Sequence, residues 1–120
     1  MKIDEIFEDS RGKIFVFIIE EREYLLFFTK KGSSRGGHLH DNREYGVVLK
    51  GIVERRYIYN GKESVENFSE GELQIVPPGA PHLMKALTDS WVLEWHEYPK
   101  TRKTYEPYRR IVEGELNEKN

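Results

Sequence analysis

Four side chains carry the chemical interest of this sequence: His38, His40, Glu44 and His82. His38 and His40 are two residues apart, a spacing that puts both imidazoles on one face of an extended strand. Glu44 follows His40 after Asp41-Asn42-Arg43, where the pattern re-enters a strand. His82 stands far along the chain, directly behind Pro77-Pro78-Gly79-Ala80-Pro81, a stiff loop that fixes where the next strand begins. A barrel brings such residues inward to one point. Three neutral imidazoles and one carboxylate form a donor set for one divalent transition metal (Zn, Fe, Mn, Co or Ni), and they are too nitrogen-rich for Ca or Mg. Four protein ligands leave one or two positions open on an octahedral ion. Open positions are what polarising a carbonyl, or activating water or dioxygen, requires. With no cysteine in the chain, thiolate ligation and disulfides are excluded.

The elements that must position these residues read as short strands separated by turn residues. Residues 13–20 and 24–30 are rich in Ile, Val, Phe and Leu and fit strands joined by a tight connection. Residues 31–37 read as a Gly/Ser loop. Residues 38–40 open another extended piece, and residues 45–50 and 52–59 continue the strand pattern. Asn60-Gly61 is the strongest short hairpin signal in the chain. Residues 62–68 read as a polar, edge-like strand, followed by strands at 73–76, 82–87 and 91–97. Strands this short, at this spacing, predict an all-β antiparallel sandwich or barrel in a single domain spanning 1–120. The tail from 99 to 120 is charged and carries one helix around 108–116.

The spacing of the four residues resembles the two signature motifs of the cupin superfamily. The first reads Gly32, five residues, His38-Leu39-His40, three residues, Glu44, six residues, Gly51. The second reads Gly71, five residues, Pro77-Pro78-Gly79, two residues, His82. The asparagine that usually closes the second motif is Ala86 here. The resemblance covers 32–86 directly and implies a double-stranded β-helix (jelly-roll) barrel in which His38, His40, Glu44 and His82 hold one metal. Asp9-Ser10-Arg11-Gly12 and Arg35-Gly36-Gly37-His38-Leu39-His40 look like segments of cupins that epimerise or isomerise nucleotide-linked keto sugars. That likeness implies proton transfer by His38 with Glu44, and contact of Arg35 with phosphate; Glu44 itself departs from those relatives, which work without metal. The alternatives are a metal-dependent dioxygenase of a small diketone or phenolic substrate, and a non-catalytic ligand-binding or metal-binding module.

Composition limits the partners. A formal net charge of −2 gives no basic field for sequence-independent nucleic-acid binding. No apolar run approaches the length of a membrane-spanning helix, and the acidic first residues lack a signal-peptide pattern, so the expectation is a cytoplasmic protein with a small-molecule substrate. Tyr57 and Gln74 are candidate pocket residues beside Arg35. Trp91, Leu93 and Trp95 share one strand face, read as core or dimer contact, while His96 on the opposite face reads as a hydrogen-bonded or surface residue. Arg102, Lys103, Arg109 and Arg110 form a basic cluster in the tail, read as a solvated face. Apolar strands in so small a barrel need cover, which predicts a homodimer.

Overall fold

A computed structural model describes residues 2–97 and 103–119. Eleven strands and one helix follow one another among the described residues: β1 (Lys2–Asp9), β2 (Gly12–Ile19), β3 (Arg22–Thr29), β4 (Ser34–Leu39), β5 (Glu44–Lys50), β6 (Val53–Tyr59), β7 (Lys62–Phe68), β8 (Leu73–Val76), β9 (His82–Ala86), β10 (Ser90–His96), β11 (Lys103–Thr104) and α1 (Tyr108–Lys119). They build two antiparallel sheets, ordered β1-β2-β3-β10-β5-β8 and β11-β4-β9-β6-β7. This is the jelly-roll expected from the sequence. At Asn60-Gly61 both residues have positive φ, 52° and 73°, as the tight β6–β7 hairpin turn demands.

Two segments depart from expectation. The glycine-rich stretch 31–37 is not wholly a loop, because Ser34–Leu39 pairs with β9 as a strand. Its register shifts between Gly36 and His38, so the glycines mark a bulge within a strand. β1 pairs with β2 along its whole length, interrupted by a shift between Ile3 and Glu5.

Register decides which side chains face inward. In the larger sheet Val92 pairs with Val48 and Phe27, and Glu94 with Gly46 and Leu25. These positions, with His96 opposite Glu44, form the inner face. Val48, Val53, Met84 and Val92 close one end of the barrel as a dry core, with Phe68 packed against it. The Trp91–Leu93–Trp95 face therefore points outward, which corrects the core half of its reading as core or dimer contact. Trp91 stacks on Phe15 and tilts against Phe28, while Trp95 stacks on Tyr45 and meets Tyr24, forming an aromatic stripe on the outside of the larger sheet.

The outside of the smaller sheet is covered by α1. Tyr108 and Val112 are fully buried, the Tyr108 hydroxyl donates to Glu63 at 2.5 Å, and the Arg56 guanidinium lies over the Tyr108 ring. Glu115 accepts from the backbone and hydroxyl of Ser34. The tail basic cluster is thus partly structural: Arg109 pairs with Glu113 and Arg110 with Glu106, while Arg102 lies outside the described residues.

Gly37 is where helix and sheet touch. Its φ is +80°, and a Cβ there would lie 2.6 Å from the Arg109 Cα and 2.7 Å from its nitrogen, both backbone atoms. Gly37→Ala is therefore expected to destabilise the protein by about 2–4 kcal/mol through left-handed strain and overpacking. Urea denaturation measures this, with loss of amide exchange protection in α1 as its local signature. An unchanged midpoint would contradict the packing described.

Candidate metal centre and its cavity

Glu44 begins β5, and its carboxylate is the hub on which three imidazoles converge. The Nε2 atoms of His40, His82 and His96 lie 3.6, 3.3 and 3.5 Å from its oxygens. The rings crowd one another, with centroids 5.3 Å apart for His40–His82 and 4.7 Å for His40–His96. The donor atoms of His40, Glu44 and His96 all lie within 4.8 Å of one another, which is the spacing a shared cation needs.

Local structure explains the convergence. The β10–β5 register sets His96 opposite Glu44, and the Glu97 amide bonds to the Arg43 carbonyl at 3.0 Å, tying the two strand ends together. The Gly79 amide bonds to the His40 carbonyl at 2.7 Å, so the proline loop ahead of His82 is pinned to His40. Nδ1 of His82 lies 3.0 Å from the Ala80 carbonyl. A carbonyl only accepts, so Nδ1 carries the proton and Nε2 faces Glu44. Arg55 Nη1 donates to the same Glu44 oxygen that His82 faces, Oε2, at 3.2 Å, and its Nη2 reaches Glu94 at 3.4 Å.

The charges in this cluster support one another. Burial alone would raise the Glu44 pKa, but the charge and hydrogen bond of His82, with Arg55 and His96, outweigh it and hold the carboxyl well below its ordinary value. Burial alone would lower the His82 pKa, but the Glu44 charge and hydrogen bond win and raise it above 6.5. The two shifts set opposite pH limits for the metal-free protein. His82 contributes stability that is complete below about pH 6.5 and is lost as pH rises through its folded pKa. Glu44 contributes stability present above about pH 4.5 and lost as pH falls toward its depressed folded pKa. Metal-stripped protein is therefore expected to show a thermal midpoint that falls as pH rises from 6 to 9, and His82→Asn should flatten that fall. A midpoint rising over this range would contradict the pairing.

A cavity of about 640 Å³ adjoins the cluster, and His38, His40, Glu44, His82 and His96 all line it. Its walls are apolar at Phe7, Ile14, Val16, Leu25, Phe27 and Met84 and cationic at Arg11, Arg35, Arg55 and Arg109. Arg35 is only 6% exposed; its Nε donates to the Thr29 hydroxyl at 2.7 Å and its Nη2 to the Phe28 carbonyl at 3.0 Å. Burial, then the like charge of Arg11, push its pKa down to about 10, so it stays cationic at neutral pH.

The sequence-derived candidates thus fall into three groups. His40 and Glu44 enter the mutually close donor group, and His82 faces the same carboxylate. His38 lines the same cavity as His40, as their spacing predicts, but it is outside that donor group. Arg35 lines the cavity as expected. Tyr57 does not: it sits on the hairpin arm with its hydroxyl hydrogen-bonded to Glu66, which corrects its reading as a pocket residue. Gln74 is buried at 5% exposure and points inward from β8, yet it is outside the cavity lining. The residue missed as a metal-site candidate is His96, which reads from the sequence as hydrogen-bonded or surface; its alternation with Val92 and Glu94 along β10 is the signal that could have found it.

A family model described as a cupin domain matches residues 25–98. No curated protein sequence matches the chain. Solved structures of oxalate decarboxylase from Bacillus subtilis are similar in fold. A tryptophan-to-tyrosine variant superposes with a TM-score of 0.70 at 19% identity, covering 77% of this chain and 26% of that one. The enzyme at pH 4.6 gives 0.68 at 20% identity, with 77% and 26% covered. A structure from work on the Mn(II) centres of that enzyme gives 0.69 at 20% identity, with 77% and 27% covered. The chain spans about a quarter of the length of these neighbours.

Proposed function

This chain belongs to the cupin-domain family, and on that footing we propose that it is a metal-dependent enzyme acting on a small oxygen-bearing molecule held inside its barrel. The observation that carries the reading is the convergence of His40, His82 and His96 on the Glu44 carboxylate at the wall of a substrate-sized cavity. His40, Glu44 and His96 would hold the ion, with His82 beside them; nitrogen and oxygen donors suit Mn, Fe, Co, Ni or Zn. The Mn(II) centres of the structural neighbour make manganese the first to test. When bound, the ion supplies Lewis acidity to a substrate carbonyl or hydroxyl.

The reaction best matched to the remaining residues is proton transfer at a carbon next to a carbonyl, of the isomerase or epimerase type, on a sugar or nucleotide-linked sugar. His38 on the cavity wall is the candidate base, because an imidazole there can reach a substrate proton. Arg35 holds an anionic group of the substrate, and the apolar wall excludes water around the reacting atoms. A second reading, dioxygenase chemistry on a small diketone or phenol, is favoured by one observation: Ile14, Val16, Leu25, Phe27 and Met84 make a hydrocarbon surface ill-suited to a polyhydroxylated ligand. The aromatic stripe on the outer face of the larger sheet, continued by the exposed Leu73 and Ile75, supports a homodimer that covers it.

Elemental analysis of protein purified without added metal, followed by thermal shift with dTDP-glucose and oxygen-uptake assays on diketones, tests the proposal. Near-stoichiometric metal with a sugar-nucleotide shift supports proton transfer, and bound iron with oxygen uptake supports the second reading. Protein that binds none of the five metals would refute both.

A further inference from the structure

Four arginines line the cavity, and three of them are neutralised by the protein. Arg11 is gripped by Asp9, its Nη2 lying 2.7 Å from the carboxylate. Arg55 bridges Glu44 and Glu94. Arg109 pairs with Glu113 at 2.9 Å. Arg35 is different. It is the arginine whose hydrogen-bond partners are neutral, the Thr29 hydroxyl and the Phe28 carbonyl, and among the described residues it has no ion pair. Asp9 and Glu94 influence its charge from beyond ion-pair contact. A guanidinium on a residue this buried is costly unless something supplies an anion.

The two hydrogen bonds consume two of the five guanidinium protons. Three remain, shared by Nη1 and Nη2, and the side chain lines the cavity. Two adjacent N–H groups on one end of a planar fork match the two oxygens of a carboxylate. Charge sets the valence of the guest. One uncompensated cation balances one negative charge, whereas a phosphate dianion would add a second to a cavity also lined by Glu5, Glu8 and Glu23. Register sets its length. Arg35 pairs with Met84 and His38 with His82, so the anion anchor sits roughly 7 Å along the strand from the metal-facing imidazole. Ile14, Val16, Leu25, Phe27 and Met84 provide the hydrocarbon wall.

We propose that Arg35 anchors the carboxylate of a monoanionic ligand with an apolar body, whose second oxygen function reaches the His40–Glu44–His96 group. This rests on the reading of the cavity as the substrate site of a metal-dependent enzyme, and within that reading it favours a carboxylate-bearing substrate over a nucleotide-linked sugar.

The test uses 4-hydroxybenzoate and its neutral isostere 4-hydroxybenzamide, titrated calorimetrically into wild-type, R35K and R35Q protein, each Mn-loaded and metal-stripped. The acid is expected to bind wild-type protein about 10- to 100-fold more tightly than the amide, a preference kept in R35K and lost in R35Q. The acid–amide comparison on wild-type protein needs no substitution, so a variant that fails to fold leaves the test intact. A preference that persists in metal-stripped protein supports the anchor even where the metal reading fails. Equal binding of acid and amide, no binding of the acid to Mn-loaded protein, or a full preference in R35Q overturns the proposal. Tighter binding of phenyl phosphate than of the acid overturns it in favour of a phosphoryl ligand.

Discussion

Glu44→Gln is expected to abolish metal retention and to destabilise the metal-free protein by about 3–5 kcal/mol, the cost of leaving a buried charge without its partner. The substitution barely changes shape, so the effect isolates charge. At this position the carboxylate side chain is 5% exposed and faces Arg55, itself 3% exposed, at 3.2 Å. Glutamine would remove the negative charge around which His40, His82 and His96 are arranged, and its amide N–H groups would point at donors. Glu94 still touches Arg55 at 3.4 Å, which keeps the cost from rising further. Arg55→Met added to Glu44→Gln removes the orphaned cation and is expected to recover much of the loss, because the pair is then deleted as a unit. Urea denaturation of metal-stripped protein near pH 6, with elemental analysis of the same preparations, measures both effects. A glutamine variant that kept one ion per chain at undiminished stability would show that the carboxylate is not the hub.

The hairpin at Asn60-Gly61, the strands from Val53 to Val76 and the C-terminal helix were legible because local rules sufficed: positive φ at a turn, alternation along an arm, a charged helical stretch. Two kinds of residue were not. β1 escaped because its bulge between Ile3 and Glu5 breaks the two-residue period, and the strand at Ser34–Leu39 hid behind glycines that serve a bulge and a close helix contact at Gly37. The second kind concerns sides. Along β10 the alternation of Trp91, Leu93 and Trp95 against Val92, Glu94 and His96 was plain, but alternation does not say which face is inside. The more apolar face reads as core or dimer contact, and the opposite face as hydrogen-bonded or surface. In this barrel the interior includes a cavity lined in part by charged side chains, so Glu94 and His96 point in and the tryptophans stack outside. The same inversion explains why Arg35, Arg55 and Glu44 are all buried.

That inversion yields the sharpest contrast between motif and geometry. Motif spacing assigns the metal to His38, His40, Glu44 and His82, whereas the mutually close donor atoms belong to His40, Glu44 and His96. His96→Ala is therefore expected to weaken metal affinity by at least about 100-fold, beyond the usual effect of disturbing a residue behind a ligand. His38→Ala is expected to weaken it far less, while suppressing turnover in whichever proton-transfer assay proves active, because the imidazole lines the cavity from β4 rather than joining the donor group. Competition against a chromophoric chelator measures the affinities, and the far-ultraviolet dichroism of each variant verifies that the barrel is intact. Gln at position 96 separates ligation from packing: it fills the space but donates only a weak amide oxygen, so its affinity should stay close to that of the alanine variant. If instead His38→Ala loses the ion and His96→Ala holds it, the bulge at Gly36 must relax when metal enters. The imidazole of His96 would then serve Glu44 only as a hydrogen-bonded neighbour.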